Sequence, residues 1–325
     1  MKLTLNKLAK LTGVSQTTVS FVMNGKGDEM NISKTTQKRI LETAKRYNYQ
    51  PNHAARILSM GRSLTIAFVV PDISNPFFSK IARLVEYYAE QKGYSVMFAN
   101  TDENKKKEHK ILTNLIARQI DGIIVAPTSE TIYQDLTIPT VIFDRINNQQ
   151  KNFIAINNKD TAYQLTKALI KKGHDEIALF SVSSFLPNIK ERIVGYRQAL
   201  RDNNIPYNEL LVNDIDPKNI KRDIKKVLSS IKQSNKSIKA ALFLNNVLAA
   251  EFIWIINAFN KQRNDLLSLA SFDNLDMFDY LTPKIISASQ PSDMIAQKSV
   301  EMLFKQIDNN IVSDGVFLQT EIIKR

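Results

Sequence analysis

Residues 5–23, LNKLAKLTGVSQTTVSFVM, contain two short helical patterns separated by Gly13. In the first pattern Leu8 and Ala9 belong to one apolar face, and the small Ala9 allows a second helix to cross closely. Gly13 supplies the turn. Ser15 is the expected N-cap of the second helix, because its hydroxyl can accept a hydrogen bond from a free backbone N–H. Two helices joined by so short a turn predict a helix-turn-helix unit.

The second helix of this unit has an apolar side and a polar side. Val19 and Val22 form the inward stripe, whereas Gln16, Thr17 and Ser20 face outward. Outward hydroxyl and amide groups can reach base edges and phosphates in the major groove of DNA. The alternative is an ordinary helical hairpin with a solvated polar face. The DNA contacts expected from this part of the chain are Thr4, Ser15, Gln16, Thr17, Thr18, Ser20, Phe21, Asn24, Ser33 and Tyr49.

A third helix is expected after Ser33, which is its predicted N-cap. Pro51 is expected to stop this helix, because proline lacks the backbone N–H that the helical ladder needs. The third helix would close a small three-helix core. Its expected core residues are Ile40, Leu41, Ala44 and Tyr47.

The next segment, PNHAARILSMGRS at residues 51–63, is a candidate hinge helix. Asn52 is its expected cap, and Gly61 is expected to end it in a left-handed conformation. A helix of about two turns is marginal alone, so we expect it to order on DNA, with Leu58 inserted into a minor-groove step. A plain interdomain linker is the alternative. The expected DNA contacts here are Asn52, His53, Ala55 and Leu58.

The charge of the chain is unevenly distributed. The 325 residues include 44 Lys and Arg against 32 Asp and Glu, a net charge of +12. Residues 1–60 hold ten basic and three acidic side chains, so +7 of this excess lies in under a fifth of the chain. This clustering favours phosphate neutralisation on a nucleic acid, whereas a generally lysine-rich composition would spread the charge evenly.

Composition argues against several function classes. The absence of cysteine excludes disulfides, thiolate metal sites and cysteine nucleophiles, and is compatible with the cytosol. The start of the chain lacks the apolar core of a secretion signal. The most apolar run, residues 247–259, is interrupted by Glu251 and Asn257 and is shorter than the roughly 20 residues that a bilayer requires. We therefore expect a cytoplasmic protein that needs no membrane.

No sequence feature indicates catalysis. The three histidines, His53, His109 and His174, show no metal-ligand spacing, and the chain contains no nucleophile elbow and no glycine-rich phosphate loop. We expect no catalytic residue, no metal and no cofactor, and therefore no enzyme.

From residue 64 onward, apolar strand patterns alternate with amphipathic helical patterns, which is typical of an α/β fold with doubly wound parallel sheets. The series begins again near Asn158, so two similar halves with a cleft between them are expected. One of its helices is predicted over residues 191–203. Ligands of such sheets bind beyond the carboxyl ends of the strands. Asp144, Asp273 and Gln290 follow strands there, and such polar groups suit sugar hydroxyls, which both donate and accept hydrogen bonds.

Three long stretches together resemble the LacI/GalR family of bacterial transcription regulators: GVSQTTVSFVMNGK, RYNYQPNHAARILSMGRS and IAFVVPDISNPFFSKIARLVEYYAEQKGY. The likeness continues through DGIIVAP, IPTVIFDR, KKGHDEIALF, ERIVGYRQAL and SFDN to QTEIIKR. The loop NGKGDEMNIS, which has extra residues between the second and third helices, is most similar to the fructose- and sucrose-regulator branch.

The resemblance implies a domain organisation and a mode of action. A DNA-binding head at residues 1–50 and a hinge at 51–62 would precede an effector-binding and dimerisation domain at 63–325, similar to the periplasmic sugar-binding proteins. Its first lobe would comprise about 63–157 and 291–317, and its second about 158–290 and 318–325. A homodimer would bind double-stranded DNA at a pseudo-palindromic operator, under allosteric control by a small sugar or sugar phosphate.

The resemblance also implies the effector site. Phe77 and Phe78 can alternatively be core residues at a helix start, and Asp144 and Asp273 can be caps at strand ends. The positions that match effector contacts of the family are Ile73, Phe77, Phe78, Asp144, Arg145, Arg192, Asn245, Asp273 and Gln290.

The chain departs from the family pattern at two positions. Phe21 stands where many relatives have an arginine, and Asn246 stands where an aspartate is common. With Arg145, Lys190 and Arg192 nearby, the lost negative charge suggests an anionic or phosphorylated sugar effector. The alternatives are a sugar-binding receptor without specific DNA function, a regulator that responds to a metabolite other than a sugar, and a non-specific nucleoid protein.

Overall fold

The computed structural model describes these parts of the chain: residues 4–49, 61–128, 136–146, 151–233, 238–259 and 267–325. They belong to two compact units, Met1–Ser63 and Leu64–Arg325. Among the described residues, no helix is both long enough and apolar enough to cross a bilayer.

The candidate hinge falls mostly beyond the described residues. The expected DNA contacts Asn52, His53, Ala55 and Leu58 all lie outside them. Gly61 is described, and its φ of +67° is the left-handed conformation expected at that position.

The first unit contains three helices: α1 (Leu5–Thr12), α2 (Gln16–Met23) and α3 (Lys34–Arg46). Both predicted caps are confirmed, because Ser15 Oγ accepts a hydrogen bond from the backbone N–H of Thr18 at 3.0 Å and Ser33 Oγ accepts one from Thr36 at 3.3 Å. Gly13 adopts a φ of +64° in the turn between α1 and α2. The buried residues of this core are Leu8, Ala9, Val19, Val22, Ile40 and Ala44.

Two details of the predicted third helix are wrong. Leu41 and Tyr47 are each 49% exposed and do not belong to the core, because Leu41 lies beside the inward stripe of Ile40 and Tyr47 follows the last helical turn. The helix also ends before Pro51, since Asn48 takes a left-handed conformation with φ of +47°. Partly buried side chains complete the core, among them those of Val14, Ile32 and Tyr49.

The second unit contains two six-stranded sheets. The strands of the first sheet are β1 (Thr65–Val70), β2 (Ser95–Asn100), β3 (Gly122–Val125), β4 (Thr140–Phe143), β5 (Phe153–Ile156) and β11 (Val316–Leu318). The strands of the second sheet are β6 (Ile177–Val182), β7 (Val212–Ile215), β8 (Ala240–Phe243), β9 (Ser268–Phe272), β10 (Ile285–Ser289) and β12 (Glu321–Ile323).

Each sheet is the centre of one lobe. In the first lobe the helices are α4 (Pro76–Glu90), α5 (Lys105–Ala117) and α10 (Ser292–Asn309). In the second lobe they are α6 (Asn158–Lys171), α7 (Pro187–Asp202), α8 (Ile220–Gln233) and α9 (Asn246–Phe259).

The two sheets have the same strand order. Their orders are β11-β5-β4-β3-β1-β2 and β12-β10-β9-β8-β6-β7, so the predicted repetition of a doubly wound pattern is confirmed. All pairs are parallel except that between β10 and the edge strand β12. The chain passes between the lobes three times, after β5, after β10 and after β11. The carboxyl ends of the strands border the cleft between the lobes, where such sheets bind ligands.

Helices α6 and α7 pack closely against each other because α7 carries Gly195 at their contact. A Cβ atom added at this position would lie 2.1 Å from the carbonyl oxygen of Lys159 and 3.0 Å from the Cβ of Ala162. The first of these neighbours is backbone and cannot rotate away. Glycine at this position therefore allows the two helices to approach closely, although glycine is a poor helix former.

We predict that Gly195→Ala destabilises the second unit, although alanine is normally the better helix former. Overpacking of this kind costs about 1–3 kcal/mol, and the contact with backbone favours the upper end. Denaturant unfolding would measure the change. The matched control is Val194→Ala, at a neighbouring position that is 47% exposed, which should stay within about 0.5 kcal/mol of the wild type. Equal stability of both variants would contradict the close contact.

Candidate functional site

Two aspartates occupy equivalent places at the edge of the cleft, one in each lobe. Asp144 follows β4 and Asp273 follows β9, and each adopts a left-handed conformation with φ of +64°. Aspartate tolerates this region better than most residues, and the conformation turns the chain sharply after the strand. Both side chains are buried, with 7% exposure of each residue. The two lobes therefore present a carboxyl group to the cleft by the same local device.

A cavity of about 160 Å³ lies at these strand ends, between the lobes. It brings together eight of the nine residues expected at the effector site: Phe77, Phe78, Asp144, Arg145, Arg192, Asn245, Asp273 and Gln290. Ile73, the ninth, does not line the cavity. Its side chain is 38% exposed, and its backbone N–H donates to Asn100 Oδ1 at 2.9 Å, whereas the neighbouring Asp72 reaches the cavity.

Arg192 on α7 is the most deeply engaged cation of the cavity, with 4% exposure. Its Nε donates to Asn158 Oδ1 at 2.8 Å, and one Nη donates to the carbonyl oxygen of Leu244 at 2.8 Å. The guanidinium carbon lies 3.9 Å from the centre of the Phe272 ring. Burial lowers the pKa of Arg192, and the nearby carboxylates of Asp273 and Asp144 oppose this shift. Arg192 is thus held in one place by the second lobe.

Arg145 has a different role, because an acidic side chain already neutralises it. Its two Nη atoms donate to the two carboxylate oxygens of Glu103 at 2.8 and 2.6 Å, and one also donates to the carbonyl oxygen of Pro127 at 3.0 Å. This bidentate pair fixes the guanidinium within the first lobe. Lys190, the third cation expected near the ligand, is exposed and does not line the cavity.

Asn188 is a site residue that sequence reasoning missed. Its Nδ2 lies 3.3 and 3.2 Å from the two carboxylate oxygens of Asp144, so the amide joins the second lobe to the first. The expected helix began at residue 191, but α7 begins at Pro187, and Asn188 therefore lies in its first turn. Proline favours the first turn of a helix, which was the available signal.

Asp273 and Gln290 form a second polar pair in the second lobe. Gln290 Nε2 donates to Asp273 Oδ1 at 2.6 Å. Burial raises the pKa of Asp273, and the field of Arg192 opposes that shift. The pair leaves the remaining lone pairs of the carboxylate as acceptors beside the cavity.

Phe77 and Phe78 are core residues that also line the cavity. Their ring centres are 5.0 Å apart, and Phe78 also contacts Phe143 at 6.1 Å, so both belong to the core of the first lobe. Both also line the cavity. Asn246, where relatives often have an aspartate, is fully buried, and its Nδ2 donates to Asn75 Oδ1 across the cleft at 3.2 Å.

The candidate DNA-binding surface is the first part of α2. Gln16 and Thr17 are exposed, and Ser20 and Phe21 are half-buried beside them. Asn24 Nδ2 lies 3.4 Å from Ser20 Oγ on the same side of the helix. These side chains form a polar surface next to the free backbone N–H groups at the start of α2, which is a suitable arrangement for phosphate and base contacts.

The other expected DNA contacts in the head have structural roles of their own. Thr4, Ser15 and Ser33 are the N-caps of the three helices, and Thr18 shares a hydrogen bond of 2.8 Å with Ser15 between hydroxyl groups. Tyr49 packs against the three-helix core, and burial raises its pKa. Each cap residue lies at a helix N-terminus, where backbone N–H groups attract anions.

Comparison with known proteins agrees with both units. Residues 4–52 match the model described as bacterial regulatory proteins, lacI family, and residues 66–311 match that of a periplasmic binding protein domain. The chain is 32% identical to the ribose operon repressor of Halalkalibacterium halodurans, over 94% of this chain and 90% of that protein. It is 30% identical to the HTH-type transcriptional regulator KdgR of Bacillus subtilis, over 99% and 96%.

A solved structure supports the fold. The Lac repressor dimer bound to operator and the anti-inducer ONPF superposes with a TM-score of 0.85, at 21% identity, over 100% of this chain and 98% of that chain. A helix-turn-helix head, a core of two sheets and these full-length relatives lead to one conclusion: the chain belongs to the lacI family of bacterial regulatory proteins.

Proposed function

We propose that this chain represses carbohydrate-utilisation genes as a homodimer, and that a small neutral sugar bound in the cleft controls its affinity for operator DNA. Membership of the family makes it a DNA-binding transcriptional regulator rather than an enzyme. We also propose that it acts in the cytoplasm, where a regulator of this kind meets DNA. The ribose operon repressor among its relatives supports a sugar as the kind of effector.

The polar ring of the cavity carries this proposal. Asp144 and Asp273 supply acceptors, Asn245 and Gln290 supply amides, and Arg192 supplies fixed donors at the strand ends. A sugar hydroxyl needs both a donor and an acceptor, and such a mixed ring provides them in a small space. Phe77 and Phe78 add an apolar wall that suits the C–H face of a sugar ring.

The charge of the cavity favours a neutral ligand over a phosphorylated one. Its described lining includes four acidic residues, Asp72, Glu103, Asp144 and Asp273, but two basic ones, Arg145 and Arg192. Glu103 occupies Arg145 on both nitrogens, and Lys190 lies elsewhere. A phosphate group would therefore meet more negative than available positive charge. The hypothesis of an anionic effector relied on three cations, Arg145, Lys190 and Arg192. The structure pairs Arg145 with Glu103 and places Lys190 outside the cavity lining.

The proposed DNA contact is made by α2 in the major groove, with the segment at residues 51–62 as the hinge. The domain limits of the expected organisation, with a head to residue 50 and an effector domain from 63, remain part of this proposal. Placement near the fructose- and sucrose-regulator branch rests on the loop between α2 and α3. In that loop Asp28 accepts hydrogen bonds from Lys34 and Gln37, each at 2.8 Å.

The decisive experiment combines selection of DNA with a ligand screen. Genomic fragments that the purified protein retains should contain an inverted repeat. Calorimetric titration should then detect a neutral sugar that binds with at least tenfold higher affinity than its phosphate and that changes operator affinity. Tighter binding of the phosphorylated sugar, or of a metabolite that is not a sugar, would refute this assignment of the effector.

We predict that Asp273→Asn weakens sugar binding at least tenfold, because it removes a buried charged acceptor from the cavity. Operator affinity without sugar should stay within twofold of the wild type. The matched control is Asp276→Asn, an exposed aspartate three residues further along, which should leave sugar affinity unchanged. Unaltered titration of Asp273→Asn would remove this residue from the site.

The raised pKa of Asp273 predicts a pH dependence of sugar binding. The ionised carboxylate accepts hydrogen bonds, and burial makes it take up a proton above its ordinary pKa of 3.8. Sugar affinity should therefore fall as the pH is lowered through this raised pKa. Titrations between neutral and acidic pH should show the fall in the wild type but not in Asp273→Asn, and identical profiles would contradict the assignment.

We predict that Gln16→Ala weakens binding to the selected inverted repeat by tenfold or more. A bidentate amide contact to a base discriminates by about 1–3 kcal/mol, and a homodimer loses it twice. Leu41→Ala, at an exposed position on α3, is the control and should bind normally. Gel-shift titration against specific and random duplexes measures both affinities. An equal loss on both kinds of DNA would show that Gln16 does not read sequence.

A further inference from the structure

A second cavity lies in the second lobe, between α6 and the edge strand β12, and it is strongly basic. Its volume is about 320 Å³. Basic side chains dominate its lining, and no acidic residue contributes among the described residues. These basic residues are Lys167, Lys171, Lys172, Lys324 and Arg325.

The helical side of this groove is one face of α6. Gln164, Lys167, Ala168 and Lys171 recur at the spacing i, i+3, i+4 and i+7, so they share that face. Lys167 and Lys171 are an i,i+4 pair of equal charge, which destabilises a helix by a few tenths of a kcal/mol. A further lysine, Lys324, lines the groove from just beyond β12.

On the strand side, Ile322 lies on β12 and Lys324 directly follows that strand. Together with Ala168 and the buried Ile286, Ile322 gives the groove an apolar floor. The groove thus combines an apolar base with a basic rim, unlike a scatter of lysines on a flat surface.

The lysines of the rim are not neutralised within the described parts of the protein. Lys171, Lys172 and Lys324 make no ion pair with any described residue, and Lys167 contacts the ring of Tyr163 at 5.5 Å. Arg325 differs, because its guanidinium is bound by Asp279, Asn274 and Ser287. Among the described residues, no ion pair offsets the repulsion among these four ammonium groups.

The end of α6 explains part of this arrangement. Lysines in the last turn favour the negative end of the helix dipole, which accounts for Lys171 and Lys172. It does not account for Lys167, one turn earlier, or for Lys324, just beyond β12. These two close the groove around the helix end.

We propose that this groove binds the polyphosphate group of a small metabolite. Several ammonium groups around one cavity suit several neighbouring phosphate oxygens, and a volume near 320 Å³ is typical of small-molecule sites rather than of a macromolecular surface. The apolar floor accommodates the carbon part of such a ligand. The groove is separate from the effector cleft, since Lys171 lies about 20 Å along α6 from Asn158, at 1.5 Å per residue.

The test uses inorganic tripolyphosphate as the probe and the full chain without DNA. Calorimetric titration should show that Lys167→Gln/Lys171→Gln weakens binding at this site at least tenfold. The matched control is Lys105→Gln/Lys106→Gln, two exposed lysines in the first turn of α5, which should bind as the wild type does. The DNA-binding head is unchanged in all variants, so tripolyphosphate bound to the head contributes equally to every titration and does not affect the comparison.

Hydrogen exchange locates the bound probe. Tripolyphosphate should protect residues 164–172 in the wild type and in the control, but not in Lys167→Gln/Lys171→Gln. Equal weakening in both double variants, or protection confined to the head, would overturn the proposal by showing adventitious screening of charge. Sulfate at equal ionic strength binding as tightly as tripolyphosphate would do the same. A poly-glutamate peptide that outcompetes tripolyphosphate would instead identify an acidic protein as the partner and refute the small-molecule assignment.

Discussion

The buried guanidinium of Arg192 is the interaction on which the cleft depends. A buried cation is costly unless its hydrogen bonds are made and its charge is balanced. The partners of Arg192 come from the start of α6, from the residue after β8 and from the ring of Phe272 at the end of β9. The buried charge is tolerated only when these three elements are in place together. The contacts that fold the second lobe therefore also fix the geometry of the site.

The same charge also couples the lobes. One carboxylate oxygen of Asp144, in the first lobe, lies 3.8 Å from an Nη of Arg192. Both carboxylate oxygens of Asp144 also accept hydrogen bonds from Nδ2 of Asn188, in the second lobe. Among the described residues few polar groups cross the cleft, so a ligand that competes for Asp144 changes the balance between arrangements of the lobes. A regulator needs such differential contact, because an effector shifts an equilibrium only by its difference in affinity for the two states.

The sign of the charge differs between parts of the protein. Residues 1–60 carry more than half of the net positive charge of the chain. The cavity between the lobes has more acidic than basic residues, whereas the groove between α6 and β12 is basic. Surface charge of one sign attracts ligands of the other and repels the rest. This division disfavours a polyanion such as DNA in the cavity between the lobes and favours it at the head.

The sequence by itself determined the order of the elements, the helix caps and most of the cavity residues. Strand-end aspartates, cap serines and apolar periodicity are local features, and local features survive in any arrangement of the chain. Tertiary structure decided which charges are available. From the sequence, Arg145 and Lys190 are both candidates to bind an anionic ligand. In the structure Arg145 is paired with Glu103, and Lys190 is exposed. Asn188 lies in the site because α7 begins at Pro187. Pairing between distant residues depends on distances that no local pattern encodes, and it is this pairing that decides how much unpaired positive charge a ligand in the cavity meets.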